Sequence, residues 1–260
     1  MINNDPITKE LLEEKLAGLA GRLSLEYFDT IGSTNNYLKE NHDKLPHFHV
    51  AVASNQTAGR GSKGRSFFSP GETGVYISIL LKDGLTPQDA ELLTTSAAVA
   101  ACRSLVNSLR CRPQIKWIND IYIDNRKVSG ILTEGALKDG KPEYSVVGIG
   151  FNVYPPNGGF PDDIKDRAGA ITKIATKGLR TSIAAGFIKE FHEIFSSKDT
   201  DYIDEYKRLN FLPGKQITVV KPNGSKPAKA LYVNDKCHLV VEYPDGNREA
   251  LSFGEVTIKL

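Results

Sequence analysis

The sequence has few cysteines, little excess charge of either sign and no long apolar run. Its 260 residues include 3 cysteines, and 33 basic residues stand against 31 acidic ones. Three widely separated cysteines exclude a disulfide scaffold and the paired spacings of zinc or redox motifs. The near balance of charge argues against a globally basic nucleic-acid binder. No apolar stretch approaches the ~20 residues that a membrane-spanning helix needs.

The amino-terminal segment lacks the basic and apolar stretches of an export signal. We therefore expect a cytoplasmic protein that is not embedded in a membrane. Leucines at helical spacing after Thr8 predict a short amphipathic helix that ends near Gly21. The chain ahead of Tyr27 is too short for a DNA-reading winged helix, so no DNA binding is expected.

Apolar periodicity predicts a first region of mixed strands and helices. The turn residues Asp124-Asn125-Arg126 and Lys138-Asp139-Gly140 favour tight hairpins. We therefore predict an α+β fold, with a mixed, mainly antiparallel sheet and helices on one side. The predicted strands are residues 25–31, 48–53, 75–81, 114–117, 120–123, 128–137 and 144–153, and the predicted helices are 33–41, 87–109, 181–196 and 202–209.

A second region follows Phe211-Leu212-Pro213-Gly214, which breaks the helical pattern. Five short strands separated by turn residues are expected there, at residues 216–220, 228–233, 239–243, 249–252 and 256–260. This pattern is typical of a small β-barrel. We predict two domains, residues 1–212 and residues 213–260.

Residues 55–74 form a long, glycine-bearing segment without helix or strand periodicity, as functional loops often do. Residues 59–64 match the dinucleotide pattern GxGxxG, but Pro70 and Gly71 prevent the helix that this motif must open. A nicotinamide-binding fold is therefore rejected. The segment carries the cations Arg60, Lys63 and Arg65, which predict an anion-clamping lid. The alternative is an exposed basic loop with solvated charges.

Lys116 lies near a predicted strand end beside Trp117, the only tryptophan of the chain. A partly buried lysine at this place could neutralise a phosphate that is being transferred. The alternative is a surface lysine beside a core tryptophan, which is the commoner arrangement.

Several segments, in this order, resemble the biotin protein ligases. They are Gly32-Ser33-Thr34-Asn35, residues 56–70, residues 116–120, residues 126–134, Gly148-Ile149-Gly150-Phe151-Asn152 and, near the end, residues 253–256. The resemblance implies a catalytic domain similar to class II aminoacyl-tRNA synthetases and a carboxy-terminal SH3-like barrel. It also implies the monofunctional form of the family, without a DNA-binding domain.

The resemblance implies a ligase that forms biotinyl-5'-AMP from biotin and ATP. The biotinyl group then passes to a lysine of the biotin carboxyl carrier protein of a biotin-dependent carboxylase such as acetyl-CoA carboxylase. Mg²⁺ is expected to arrive with ATP, and no metal site built from side chains is expected. The expected state is a monomer or a weak homodimer.

The resemblance also assigns roles to individual residues. Catalytic roles fall to Lys116 and Arg60. The residues expected to contact biotin are Ser33, Thr34, Asn35, Gln56, Gly59, Arg60, Gly61, Ser62, Lys116 and Gly130. Those expected to contact ATP or the adenylate are Arg65, Phe67, Asn119, Lys127, Gly148, Gly150 and Asn152.

The sequence departs from the common family pattern at three positions. Ser62 stands where an arginine is frequent, Phe67 where a tryptophan is frequent, and Ile118 where a proline is frequent. The replaced arginine normally helps to hold biotin and its adenylate. Ser62 therefore implies either weaker retention of the adenylate or compensation by Lys63.

Three other functions remain open. A lipoate ligase and an octanoyl transferase share the catalytic architecture of this family. Octanoyl transfer uses a cysteine nucleophile, whereas Cys102 and Cys111 fall in or just after a predicted helix, where buried small residues are expected. The third is a non-catalytic biotin sensor, which the departure at Ser62 leaves open.

Overall fold

The computed structural model describes residues 5–82, 85–198, 200–221, 224–252 and 254–258. These residues form five α-helices: α1 (Lys9–Lys15), α2 (Thr34–Glu40), α3 (Pro87–Leu109), α4 (Leu179–Ser197) and α5 (Tyr202–Leu209). They also form twelve strands: β1 (Ser24–Ile31), β2 (His49–Gln56), β3 (Gly74–Leu81), β4 (Gln114–Lys116), β5 (Asp120–Ile123), β6 (Arg126–Lys138), β7 (Lys141–Asn152), β8 (Gln216–Lys221), β9 (Gly224–Val233), β10 (Leu239–Glu242), β11 (Arg248–Leu251) and β12 (Glu255–Thr257). Within this described part, no helix is long and apolar enough to cross a membrane.

The first helix is shorter than its sequence predicts. Thr8 caps α1, since its hydroxyl accepts a hydrogen bond from the Leu11 N–H at 3.3 Å. The helix ends at Lys15 rather than near Gly21, and the chain tightens into a 3₁₀ turn at Ala17–Leu19. The leucine spacing continues through this turn, which is why periodicity alone overestimates the helix.

The larger sheet has the strand order β1-β2-β3-β7-β6-β5-β4. β1 and β2 are parallel, and the remaining neighbours are antiparallel. Asp124 and Asn125 have φ of 49° and 60°, and Asp139 and Gly140 have φ of 52° and 75°. Two successive positive φ values are typical of the turns that close tight hairpins. The predicted α+β class with a mixed, mainly antiparallel sheet is confirmed.

Helices cover both faces of this sheet. Val50, Val52 and other residues of the same face pack with α3 in the main core, while Ala51 and Leu80 pack with Leu38 of α2 in a second cluster. Alternate residues of a strand point to opposite faces. The prediction of helices on one side is therefore wrong for α2, because the pattern of a short helix does not tell which face of the sheet it covers.

The carboxy-terminal sheet has the order β11-β10-β9-β8-β12, with all neighbours antiparallel. Its buried side chains belong to the same apolar cluster as those of the larger sheet. The Trp117 Nε1–H donates to the Cys237 carbonyl oxygen at 2.9 Å and links the two sheets. The end of the last predicted strand, residues 259–260, lies outside the described residues, as does Phe253. We propose that the domain boundary lies between residues 212 and 213, just ahead of β8.

Candidate functional site

A small cavity lies where α2 begins, β2 ends and the middles of β6 and β7 meet. Its free space is about 20 Å³, which is room for about one water molecule. Any larger ligand therefore requires neighbouring side chains to move. The cavity is lined by Ser33, Thr34, Asn35, Gln56, Arg60, Phe67, Ile77, Gly130, Leu132, Gly148, Ile149 and Gly150.

One side of the cavity is a hydrogen-bonded polar wall, made of Thr34, Asn35, Gln56 and Ser78. The N–H and the hydroxyl of Thr34 both donate to Gln56 Oε1, at 2.9 and 3.1 Å. The Ser78 hydroxyl lies 2.7 Å from Thr34 Oγ1 and 2.5 Å from Asn35 Oδ1. Because an unsatisfied buried polar group costs ~1–3 kcal/mol, these bonds hold the wall in one arrangement.

The cap of α2 places two residues of the wall. Ser33 is the N-cap, and its hydroxyl accepts from the Asn36 N–H at 3.5 Å. Thr34 and Asn35 therefore occupy the first helical turn, where their side chains reach β2 and β3. Ser33 lines the cavity and caps the helix at the same time.

The glycine-rich loop, defined as residues 59–67, forms an irregular hairpin of its own. The Gly61 N–H donates to the Arg65 carbonyl at 2.7 Å, and the Phe67 N–H donates to the Gly59 carbonyl at 2.9 Å. The Arg65 guanidinium donates to the backbone and hydroxyl oxygens of Ser62, at 3.2 and 3.1 Å. Ser62 thus contacts a cation of its own loop, and neither Ser62 nor Arg65 lines the cavity.

Ser69 attaches this loop to the polar wall. Gln56 Nε2 donates to Ser69 Oγ at 3.1 Å, and the same hydroxyl donates to the Phe67 carbonyl at 2.8 Å. A Cβ atom on Gly59 would lie 2.4 Å from Ser69 Oγ and 2.5 Å from the Phe67 carbonyl oxygen. Only glycine therefore fits at position 59 in this arrangement.

The ring of Phe67 fills the space above two strand glycines. A Cβ on Gly150 would lie 2.4 Å from Phe67 Cε1, and one on Gly130 would lie 3.2 Å from Phe67 Cε2. The ring also packs edge-to-face against Tyr76, with 6.4 Å between the centroids. The missing side chains at positions 130 and 150 thus leave a flat surface that a planar group can cover.

Glu134 on β6 contacts polar side chains of the wall, of α2 and of the loop. Its carboxylate accepts from Asn35 Nδ2 at 3.0 Å and from Lys39 Nζ at 2.6 Å, and it lies 3.3 Å from Arg60 Nη2. Burial raises the pKa of Glu134, but the hydrogen bonds from Lys39 and Asn35 and the charges of Lys39 and Arg60 outweigh it, so the pKa is lowered. The carboxylate is therefore ionised at neutral pH.

Two lysines are candidates for the cation at the reacting centre. Lys127 Nζ lies 2.5 Å from Asp120 Oδ1. Both Cε and Nζ of Lys127 lie 3.1 Å from the place of a Cβ on Gly130, so the ammonium borders the cavity. Lys116 lies on β4, which is separated from β6 by β5. Neither lysine is among the described residues that line the cavity. The structure therefore places Lys127 beside Gly130, a residue that lines the cavity.

The two asparagines that are predicted to contact the nucleotide each donate a hydrogen bond to a backbone carbonyl. Asn119 Nδ2 donates to the Ile131 carbonyl at 2.7 Å, and Asn152 Nδ2 donates to the Gly169 carbonyl at 3.1 Å. A Cβ on Gly148 would lie 2.0 Å from Asn35 Oδ1. Gly148 therefore makes room for the polar wall.

The cysteines near α3 are not arranged as nucleophiles. Cys102 is buried in α3, and burial raises the pKa of its thiol. Burial also raises the pKa of the half-buried Cys111, whose thiol lies 3.6 Å from the Leu105 carbonyl oxygen. Neither lines the cavity. Among the described residues, no group of three or more His, Cys, Asp or Glu side chains could hold a metal ion.

Several residues of the site were not predicted from the sequence, among them the polar residues Ser78, Glu134 and Lys39. Ser78 is the single hydroxyl inside the apolar run of β3 after Tyr76, and a polar residue there signals a buried partner. Glu134 is the last residue of the segment 126–134 that resembles the family, and it is the only acidic residue in that segment. The position of Lys39, one turn after Asn35, carries no comparable signal.

Comparison with known proteins places this geometry in a family. A model described as the biotin/lipoate A/B protein ligase family matches residues 27–152. The bifunctional ligase/repressor BirA of Bacillus subtilis is 30% identical over 241 residues, which cover 88% of this chain and 72% of BirA. The biotin–[acetyl-CoA-carboxylase] ligase of Mycobacterium tuberculosis is 24% identical, over 84% of this chain and 83% of that one.

A solved structure gives the same result. Biotin protein ligase from Aquifex aeolicus, in complex with biotin and ATP, is similar with a TM-score of 0.77 at 25% identity, over 90% of this chain and 97% of that chain. Sequence likeness along most of the chain and likeness of fold therefore agree. The chain belongs to the biotin/lipoate A/B protein ligase family.

Proposed function

We propose that this chain is a biotin protein ligase, an ATP-dependent, AMP-forming enzyme. In the first step an oxygen of the biotin carboxylate attacks the α-phosphorus of ATP, pyrophosphate leaves, and biotinyl-5'-AMP forms. In the second step a lysine amine of an acceptor protein attacks the acyl carbon, and AMP leaves with the electron pair of the broken anhydride bond. The Aquifex aeolicus relative binds both biotin and ATP.

The observation that carries this proposal is the pairing of an uncharged polar wall with bordering cations. The bicyclic head of biotin is neutral and has both donors and acceptors, so hydroxyl and amide groups suit it. Thr34, Asn35 and Gln56 supply these groups. The biotin carboxylate and the α-phosphate are anions, and cations are supplied by Arg60, which lines the cavity, and by Lys127, which lies beside Gly130.

Lys127 is our candidate for the cation between the two reacting anions. An ammonium that contacts both groups lowers their repulsion and stabilises the charge that develops during displacement. Asp120 orients this ammonium at 2.5 Å. The catalytic role of Lys116 stays a prediction from the family resemblance. Because β4 lies two strands from β6, we assign Lys116 a secondary contact with the substrates and Lys127 the central one.

Entry of the ligands requires Phe67 to leave the surface of Gly130 and Gly150. The loop that carries Phe67 can then close over the adenylate and exclude water from the mixed anhydride. Arg65, Asn119 and Asn152 stay predicted contacts of the nucleotide, and Mg²⁺ would enter with the ATP phosphates.

The acceptor is the biotin carboxyl carrier protein of a biotin-dependent carboxylase, in keeping with the Mycobacterium tuberculosis relative named for acetyl-CoA carboxylase. A cytoplasmic location, the absence of DNA binding and a state of monomer or weak homodimer stay predictions from the sequence. None of these three predictions depends on the geometry of the cavity.

A direct test incubates the purified chain with ATP, Mg²⁺, biotin and a biotin carboxyl carrier domain. We expect biotinyl-5'-AMP first and a biotinylated carrier lysine afterwards, detected by mass spectrometry. Lipoate in place of biotin should give little adenylate, because the rigid wall matches a ureido group. Efficient turnover of lipoate would support a lipoate ligase, and biotin binding without any adenylate would support a sensor.

A further inference from the structure

One carboxylate connects the fixed part of the site to its movable part. Glu134 lies on β6, with a side chain that is 18% exposed, and it accepts from Asn35 of the polar wall at 3.0 Å. The same group lies 3.3 Å from the guanidinium of Arg60, a residue of the glycine-rich loop. A wall residue and a loop residue therefore share one anion.

Lys39 sets the orientation of this carboxylate. Its ammonium donates to Glu134 Oε1 at 2.6 Å, and Oε1 is also the oxygen that faces Arg60, whereas Oε2 accepts from Asn35. The amide of Asn35 also donates to the Leu132 carbonyl at 3.2 Å. With both oxygens engaged, the carboxylate is held in place before the loop contacts it.

The contact to Arg60 differs from the other two in its exposure. The Arg60 side chain is 44% exposed, against 23% for Lys39. Partly exposed ion pairs contribute little to stability and are weakened by salt. The pair is thus strong enough to bias the loop and weak enough to open during turnover.

We propose that Glu134 is a positioning residue, which anchors the glycine-rich loop through Arg60 and thereby slows the escape of the acyl-adenylate. This inference rests on the proposed ligase function, because it assigns the anchor to the same cavity. Glu134 does not contact the reacting atoms; it acts through Arg60 on the loop and through Asn35 on the wall.

The first test needs no ligand. Trypsin cleaves after Arg60, Lys63 and Arg65, so its cleavage rate in residues 59–67 reports how often the loop opens. Glu134→Gln, which keeps the shape but removes the charge, should raise this rate about fivefold, the equivalent of ~1 kcal/mol. Glu134→Asp, which is one methylene shorter, should give an intermediate rate.

Two control variants separate the anchor from general effects. Glu242→Gln removes a carboxylate that pairs with Arg248 at 2.8 Å in the carboxy-terminal sheet, and it should leave loop cleavage unchanged. Lys39→Met removes the orienting ammonium and should raise cleavage less than Glu134→Gln. Equal cleavage in wild type and both Glu134 variants would overturn the anchor.

The second test measures catalysis. With Glu134→Gln, dissociation of biotinyl-5'-AMP should be faster by about fivefold and the KM for biotin should rise, while kcat for adenylate formation changes by less than about twofold. A purely structural role would lower kcat and thermal stability together and leave the dissociation rate unchanged. Unchanged dissociation overturns the inference.

The two tests also distinguish this inference from the function beneath it. If the wild-type chain forms no adenylate, the ligase proposal fails, and the anchor is then judged by trypsin alone. If the wild-type chain forms adenylate and either readout is unchanged in the Glu134 variants, the ligase proposal stands and the anchor fails.

Discussion

The part of the site that is built on α2 and the strands and the part that is built on the glycine-rich loop are arranged in opposite ways. Ser78 and Asn35 are 0% and 5% exposed, and their polar groups are bonded to one another before any ligand arrives. The glycine-rich loop has hydrogen bonds within itself, and its contacts with the rest of the site include those of Arg60 and Phe67 and those of the adjoining Ser69. The polar wall is rigid and selective, whereas the glycine-rich loop is held by a few contacts that can break and form again.

This difference suits a reaction between two bound anions. Recognition of the neutral head benefits from groups that are already in place, because no reorganisation is needed on binding. Enclosure of the adenylate requires a segment that can open for ATP, close during displacement and open again for the acceptor lysine. Substitutions in the rigid part should therefore reduce binding or chemistry strongly, and those in the loop should have milder effects.

The largest expected effect lies in the strand-borne part, at Lys127. Lys127→Met should lower kcat for adenylate formation by about 100- to 1000-fold, the range found when one preorganised electrostatic donor is removed. Lys116→Met is the matched control and should lower it by less than about tenfold. Pyrophosphate exchange measures both. A larger loss at Lys116 would return the central role to that residue.

The second effect compares two glycines of the same strand, one facing the wall and one facing the loop. Gly148→Ala should weaken biotin binding by about 100-fold, because the new methyl group meets the bonded Asn35 and overpacking costs ~1–3 kcal/mol. Gly150→Ala meets the ring of Phe67, which can move with its loop, and should cost less than about tenfold.

Isothermal titration with biotin measures this pair, and circular dichroism shows whether each variant folds. Similar losses in the two variants would mean that the wall is no more rigid than the loop. The difference between the polar wall and the glycine-rich loop would then disappear.

The smallest effect concerns pH and the group that joins the two parts. The pKa of Glu134 is lowered from an ordinary 4.5, so the stability that its ionised form contributes is fully present above the ordinary value. It is lost as the pH falls through the lower pKa of the folded state. The difference in unfolding free energy between wild type and Glu134→Gln should therefore stay constant from about pH 8 to about pH 5.5 and shrink only at more acidic pH. Urea titrations measure it, and a change near neutral pH would contradict this ionisation state.

Local chemistry made much of the fold predictable from the sequence. Thr86 and Asp89 form the capping box of α3, Pro87 takes its first position, and the helix spans the residues that this pattern predicts. The hairpin turns at Asp124 and Asp139 were also predictable, because the residue types at these turns tolerate positive φ.

The arrangement of the site was less predictable, because it depends on contacts between distant segments. Lys127 reaches Asp120 across the β5–β6 hairpin, whose register shifts between Ile121 and Tyr122. No periodicity in the sequence encodes that shift or shows which lysine borders the cavity. The same holds for Glu134, whose partners on α2 and on the glycine-rich loop are 74 to 99 residues away in the sequence.

The hydrogen bond between Trp117 and Cys237 gives the molecule a built-in optical probe. Trp117 is the only tryptophan of the chain, it is 3% exposed, and it lies directly after Lys116 at the junction of the two sheets. Its fluorescence therefore comes from one known place. A red shift of that emission on adding an acceptor would show that carrier binding loosens the contact between the two sheets. Constant emission would show that this contact is unchanged when the carrier binds.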